Sequence, residues 1–101
     1  MAALDLVGDA LRGMRERYDP VAVSELVEVI GELYGGRGPV ARLLLGYYRI
    51  ALAFLVREGR LEEAENVTRM LIDALRHGDH NLLRNVTRRL EYYARLALGE
   101  G

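Results

Sequence analysis

Cysteine, lysine, glutamine and tryptophan are absent from this chain of 101 residues, and the first two absences exclude whole classes of chemistry. Without cysteine there is no disulfide framework, no thiolate nucleophile and no cysteine-based zinc site. Without lysine, and with Ser24 as the single serine, covalent catalysis has almost no nucleophile. The glycine-rich segment 35–38 lacks the following lysine and the preceding strand of a phosphate-binding loop. We therefore expect a protein that is not an enzyme, with no catalytic residues and no cofactor.

Metal-ligating residues are also scarce. Asp73 lies one helical turn before His77, and His80 follows beyond Gly78, which interrupts the helix. The chain has no further histidine to complete a site. This arrangement does not match the ligand sets of zinc sites, so we expect no bound metal.

Charge of one sign does not dominate the chain. The formal net charge is −1, and half of the residues are apolar. This is the balance of a soluble globular domain, without the overall positive charge that attracts nucleic acid or anionic membranes. All basic residues are arginine, which we interpret as the mark of a GC-rich genome. The lack of glutamine also fits a thermophile, although thermophile proteins usually gain lysine.

No segment has the pattern of a targeting signal or of a membrane span. The first residues, MAALDLVGDAL, carry two aspartates and no early basic residue, unlike a secretory signal. The longest apolar run, 40–56, contains Arg42 and Arg49 and is shorter than the ~20 residues that a span needs. We expect a cytoplasmic protein that does not contact a membrane.

The apolar spacing predicts an all-α fold in a single domain over residues 1–101, with about five antiparallel helices. These helices would form a small bundle or a short stack of hairpins. The central helix is apolar almost all the way round, so we expect helices of this chain or of a second chain to cover it. A proline opens each of the predicted helices 20–34 and 39–58, and a glycine closes each of the helices 39–58 and 61–76. The predicted helices are 2–17, 20–34, 39–58, 61–76 and 79–98.

A short repeat links two of these helices. Asn66-Val67-Thr68-Arg69 recurs as Asn85-Val86-Thr87-Arg88 nineteen residues later, and Gly59 and Gly78 have the same offset. One helix and one turn per nineteen residues is the spacing of stacked antiparallel helices.

The segment 58–64 resembles the turn within a tetratricopeptide hairpin. Gly59 stands where that family closes its first helix, Ala64 where the second helix packs closely, and Tyr48 where the family has a large aromatic residue. The family's other small residue would fall at Leu52, and no proline follows the second helix. The resemblance implies a protein-binding helical scaffold, although any tight helix hairpin selects the same glycine and alanine.

The polar side of the central helix is the first candidate binding surface. At 100° per residue, its arginines and small residues fall on one narrow strip. Such a strip forms a shallow groove in which guanidinium groups suit carboxylates or phosphates. The alternative is a solvated strip that keeps the helix in register. We name it the arginine strip, and it consists of Arg42, Gly46, Arg49, Ala53 and Arg57.

The helix 20–34 carries a complementary feature, the glutamate stripe of Glu25, Glu28 and Glu32. Both stripes lie opposite the apolar face of their own helix, so we expect them to pair between subunits rather than within one chain. Exposed pairs of this kind set specificity more than affinity. The predicted inward positions of this helix are Val23, Leu26, Val27, Ile30, Leu33 and Tyr34.

The last helix combines arginines with aromatic residues, a combination that can contact phosphates and stack on bases. Tyr93 falls on the apolar face, and we assign it to the core. The candidate nucleic-acid residues are Arg84, Arg88, Arg89, Tyr92 and Arg95.

Taken together, these patterns predict a module for protein–protein interaction or self-assembly, acting through helix-face packing. Its expected partner is a second copy of itself, in a homodimer or higher oligomer, or another protein. The alternative function is that of a nucleic-acid-associated accessory protein.

Overall fold

A computed structural model describes residue 9, residues 20–33 and residues 38–99 of the chain. These residues form four α-helices and no strand, which confirms the all-α class. The sequence predicts five helices, and the described part of the chain contains four. The first predicted helix, 2–17, lies outside the described residues except for Asp9, which is helical. The helices are α1, Pro20–Leu33; α2, Pro39–Arg57; α3, Leu61–His77; and α4, His80–Ala97.

Local signals in the sequence explain where the helices begin and end. Pro39 stands at the start of α2, where its missing N–H costs no hydrogen bond. After α2, Gly59 adopts a φ of 73°, a left-handed conformation that glycine tolerates best. The turn then closes with a 2.8 Å bond from the Arg60 N–H to the Leu55 carbonyl. Asp79 caps α4 by accepting bonds from two backbone N–H groups, 2.7 and 3.2 Å long.

The core is built around α2, which packs against each of the other three helices and most extensively against α4. The helix α3 also packs against α4, so these three helices enclose the main apolar cluster, and α1 lies against one side of α2. Among the described residues, the largest fully buried side chains are Tyr48, Ile30, Leu44, Leu52, Leu55, Leu71, Ile72, Leu90, Val67, Val86 and Thr68.

Two polar side chains lie inside this core and satisfy each other. The hydroxyl oxygens of Tyr48 and Thr68 are 2.8 Å apart, and Thr68 donates its own proton to the Ala64 carbonyl oxygen at 2.7 Å. Tyr48 is therefore the donor of the shared bond. Both side chains are fully buried, so this bond prevents an unpaired hydroxyl in the apolar interior.

The prediction that Leu33 points inward was wrong, since its side chain is 53% exposed. It is the last residue of α1 and follows the exposed Glu32. Val23, Leu26 and Ile30 are buried as predicted, and Val27 is partly buried. Tyr34 lies outside the described residues.

In the described part of the chain, α2 is the one helix long and apolar enough to cross a membrane by length and composition. Core helices of soluble proteins pass the same test. Seven residues of α2 are buried against the neighbouring helices. At least part of its apolar surface is therefore buried by packing within the fold.

Candidate interaction surfaces

An exposed line of apolar side chains runs along α2. Val40 is 62% exposed, Leu43 57% and Ile50 38%, while Tyr47 and Phe54 are partly buried. We name these five residues the apolar stripe. Their alternating spacing of three and four residues places them on one side of the helix, over about 21 Å. This spacing is the one with which a helix forms a seam with a second helix.

The apolar stripe is exposed because the other described helices cover only part of α2. Leu44, Tyr48 and Leu55 mark the side of α2 that is fully buried. At 100° per residue around α2, the residues that contact α1 lie on one flank of this buried side, and the apolar stripe lies on the other flank. The expectation that helices of this chain or of a second chain cover α2 is therefore met only in part by the described helices.

The arginine strip lies on the outer surface of α2, beside the apolar stripe. Arg42, Arg49 and Arg57 are exposed, and no described residue forms an ion pair with any of them. Arg49 donates a 3.2 Å bond to the hydroxyl of Ser24 on α1. A Cβ at Gly46 would meet nothing within 4 Å, so packing inside this chain does not require the small residue there.

The glutamate stripe lies on α1 near the arginine strip. Glu25, Glu28 and Glu32 are all exposed. Ser24, which holds Arg49, is adjacent to Glu25 and one turn before Glu28. The two charged stripes thus border the same α1–α2 surface, although no described ion pair joins them.

A cluster that the sequence patterns did not indicate joins the ends of three helices. Arg60 donates two 2.7 Å bonds to the two carboxylate oxygens of Glu63, and Tyr93 donates a 2.7 Å bond to one of them. The Arg60 guanidinium also lies over the rings of Phe54 and Tyr93, 5.8 and 5.7 Å from their centres. We name these four residues the arginine clasp. It ties the end of α2 and the start of α3 to α4.

The arginine clasp alters proton affinities in consistent directions. The bidentate bond from Arg60, followed by the bond from Tyr93, lowers the pKa of Glu63 below its ordinary value of 4.5. Burial, followed by the bond to Glu63, raises the pKa of Tyr93 above its ordinary value of 10.0. Glu63 is therefore ionised and already paired, which leaves it little capacity to bind a second cation or act as a base.

The predicted nucleic-acid residues of the last helix separate into two groups. Arg88, Arg89 and Tyr92 line a groove between α3 and α4. Arg84 is exposed but does not line this groove, and Arg95 is held by a 2.6 Å ion pair with Glu91. Arg84, Arg88 and Arg95 lie within about 40° of one another around α4, so the face of the helix does not account for the separation.

Both copies of the four-residue repeat contribute to this α3–α4 groove. Their valines are buried, and each threonine donates to the carbonyl four residues earlier, at 2.7 Å from Thr68 and 2.6 Å from Thr87. Their asparagines and arginines line the groove. The repeat is visible in the sequence, but its polar residues share one surface only through the packing of α3 against α4. Residues that line the groove include Asn66, Arg69, Met70, Asn85, Arg88 and Arg89, with Tyr92.

Comparisons with known proteins add no further constraint. No family model matches the chain, and neither a curated protein nor a solved structure is significantly similar to it. The resemblance to a tetratricopeptide hairpin therefore stays a prediction. Among the described residues, no three side chains of His, Cys, Asp or Glu come together in a group that could hold a metal ion.

Proposed function

We propose that this protein is a non-enzymatic, cytoplasmic self-assembly module that binds a second copy of itself through the outer surface of α1 and α2. The observation that carries the proposal is the exposed apolar stripe on the central helix. Val40 and Leu43 each expose more than half of their side chain, although the same helix builds the core. Contiguous exposed apolar surface of this kind is typical of protein interaction sites.

The spacing of the apolar stripe supports a helix as the occupant. Its residues alternate at three and four positions over about 21 Å, which matches the seam between two packed helices. The α2 helix of a second copy offers the same length and the same residues. Such a self-complementary surface is what a two-fold dimer requires.

The charged stripes support a second copy rather than an unrelated apolar partner. Arg42, Arg49 and Arg57 on α2 have no ion-pair partner among the described residues, and neither do Glu25 and Glu28 on α1. Because both stripes border one surface, a two-fold arrangement can place the arginines of each copy against the glutamates of the other. These pairs would select the partner and its orientation, while the apolar stripe would supply most of the affinity.

The first test is the molar mass in solution, measured by light scattering after gel filtration over a range of protein concentrations. We expect a dimer or higher oligomer for the unaltered chain. Leu43→Glu places a charge in the apolar stripe and should weaken association by at least about tenfold. Leu98→Glu is the matched control, because Leu98 is 69% exposed and lies beyond the end of α4. Circular dichroism should show the same helix content in both variants.

A charge exchange between stripes tests the orientation. Arg42→Glu combined with Arg49→Glu makes both stripes acidic, and Glu25→Arg combined with Glu28→Arg makes both basic. Each double variant alone should associate less than the unaltered chain, because like charges then face each other. An equimolar mixture should restore association as a heterodimer.

Three results would contradict the proposal. The first is an unaltered chain that stays monomeric at about 100 µM, well above the dissociation constant of a standard interface. The second is equal weakening by Leu43→Glu and by the control. The third is recovery of the chain in lipid vesicles, since this would assign the apolar stripe to a membrane.

A further inference from the structure

The α3–α4 groove shares no lining residue with the apolar stripe and combines positive charge with an exposed aromatic ring. Arg69 on α3 and Arg88 on α4 line it, and neither forms an ion pair with a described residue. Met70 and Arg89 line both the part of the groove beside Tyr92 and the part beside Glu63, so the two parts adjoin.

The acidic side chains along the groove do not cancel this charge. Glu63 stands at one end but is held by two bonds from Arg60 and one from Tyr93. Asp73 is the other carboxylate in the lining. Arg69, Arg88 and Arg89 therefore leave the groove locally positive, although the chain carries a formal net charge of −1.

Tyr92 supplies a flat apolar surface beside these arginines. Its side chain is 56% exposed, and its ring centre lies 5.5 Å from that of the buried Tyr93 at an angle of 57°. This contact supports the ring from one side and leaves it accessible from the groove. Asn66 and Asn85 add amide groups that donate and accept hydrogen bonds.

We propose that the α3–α4 groove binds single-stranded nucleic acid, with phosphates on Arg69 and Arg88 and one base stacked on Tyr92. Guanidinium groups suit phosphate oxygens, and a flat base is the ligand that uses an exposed aromatic ring. An acidic peptide would engage the arginines but would gain little from Tyr92. The groove is small, so we expect contacts with two or three phosphates and weak affinity.

Fluorescence anisotropy of labelled ten-nucleotide strands, oligo-dT and oligo-U, tests the proposal. Two or three phosphate contacts predict that the dissociation constant rises about tenfold between 50 and 200 mM salt. Arg88→Ala should weaken binding and reduce this salt dependence. Tyr92→Ala should weaken binding about fivefold or more, with the salt dependence unchanged. Arg84→Ala is the matched control, since it removes the same charge one turn earlier on α4, outside the groove.

Four results would overturn the proposal. The first is no binding by the unaltered chain at 50 mM salt and about 100 µM protein, which is the upper end of the roughly 1–100 µM range of nonspecific dissociation constants at physiological salt. The second is equal effects of Arg84→Ala and Arg88→Ala, and the third is no effect of Tyr92→Ala. The fourth is competition by an oligo-glutamate as strong as by unlabelled oligo-dT. The groove and the apolar stripe use different residues, so molar mass measured on the same variants separates this proposal from self-assembly. Arg88→Ala and Tyr92→Ala should leave the molar mass unchanged.

Discussion

The buried pair of Tyr48 and Thr68 gives the most direct test of the core. Thr68→Val keeps the side-chain shape but removes the acceptor of the Tyr48 hydroxyl, which is fully buried. An unpaired buried donor costs about 1–3 kcal/mol, so we expect a loss near 2 kcal/mol. Tyr48→Phe removes the hydroxyl itself, and Thr68 keeps its bond to the Ala64 carbonyl. That variant should lose only about 1 kcal/mol.

The double variant, Tyr48→Phe with Thr68→Val, distinguishes the effect of losing this hydrogen bond from the effect of losing packing contacts. With both hydroxyl groups removed, no donor is left unpaired, and the pair becomes apolar without a change of shape. The double variant should therefore be less destabilised than the sum of the single variants, by about 0.5 kcal/mol or more. The Thr68→Val change should lower the melting temperature by about 10 °C, given about 4–8 °C per kcal/mol for a domain of this size.

Urea denaturation followed by circular dichroism at 222 nm measures these free energies of unfolding. The series is best made in the Leu43→Glu background, so that association does not contribute to stability. A larger loss for Tyr48→Phe than for Thr68→Val would refute the assigned donor direction. Strict additivity in the double variant would show that the two hydroxyl groups do not interact.

The same pair predicts a dependence on alkaline pH. Burial raises the pKa of Tyr48 above its ordinary value of 10.0, and the bond to Thr68 only partly opposes this. The unfolded chain releases this proton near pH 10, whereas the folded chain retains it. Stability should therefore fall as the pH rises above about 10, and Tyr48→Phe should remove part of that fall.

Two further predictions concern the helix ends. Asp79→Ala removes the cap of α4 and should lower the free energy of unfolding by about 1 kcal/mol. Asp79→Asn can still cap the helix and should retain most of that stability. Equal losses for the two variants in urea denaturation would contradict the capping role. The bond from Arg60 lowers the pKa of Glu63 in the folded chain. The stability that this ionised pair contributes to the fold is therefore present above about pH 4.5 and is lost as the pH falls below that value. Thermal denaturation between pH 3 and 7 should show a shallower acid loss in Glu63→Gln than in the unaltered chain, and identical profiles would exclude this effect.

Much of the fold follows from neighbours along the chain. A proline at the start of α2, a left-handed glycine after it and an aspartate before α4 act within one helical turn. The buried positions of α3 and α4 repeat at helical spacing. Such features can be predicted because their causes lie within a few residues. The boundaries accordingly agree with the predicted ones to within about two residues for α2, α3 and α4.

The candidate surfaces depended more on tertiary structure. The arginine strip and the glutamate stripe could be predicted as lines on single helices, but their position beside one another required the packing of α1 on α2. Arg84 and Arg88 are the same residue type and lie one turn apart on α4, yet only Arg88 lines the α3–α4 groove. Because residues four positions apart share a helix face, the pattern on α4 alone does not predict this difference.

By itself the sequence determined that this protein is all-α and where most of its helices begin and end, because hydrophobic periodicity and capping are local properties. Only the tertiary structure decided which parts of the apolar α2 helix stay exposed. It also brought Phe54, Arg60, Glu63 and Tyr93 together, across as many as 39 positions of the chain. The physical reason is that burial and side-chain contacts depend on how whole helices pack, and a periodic pattern on one helix does not contain that information.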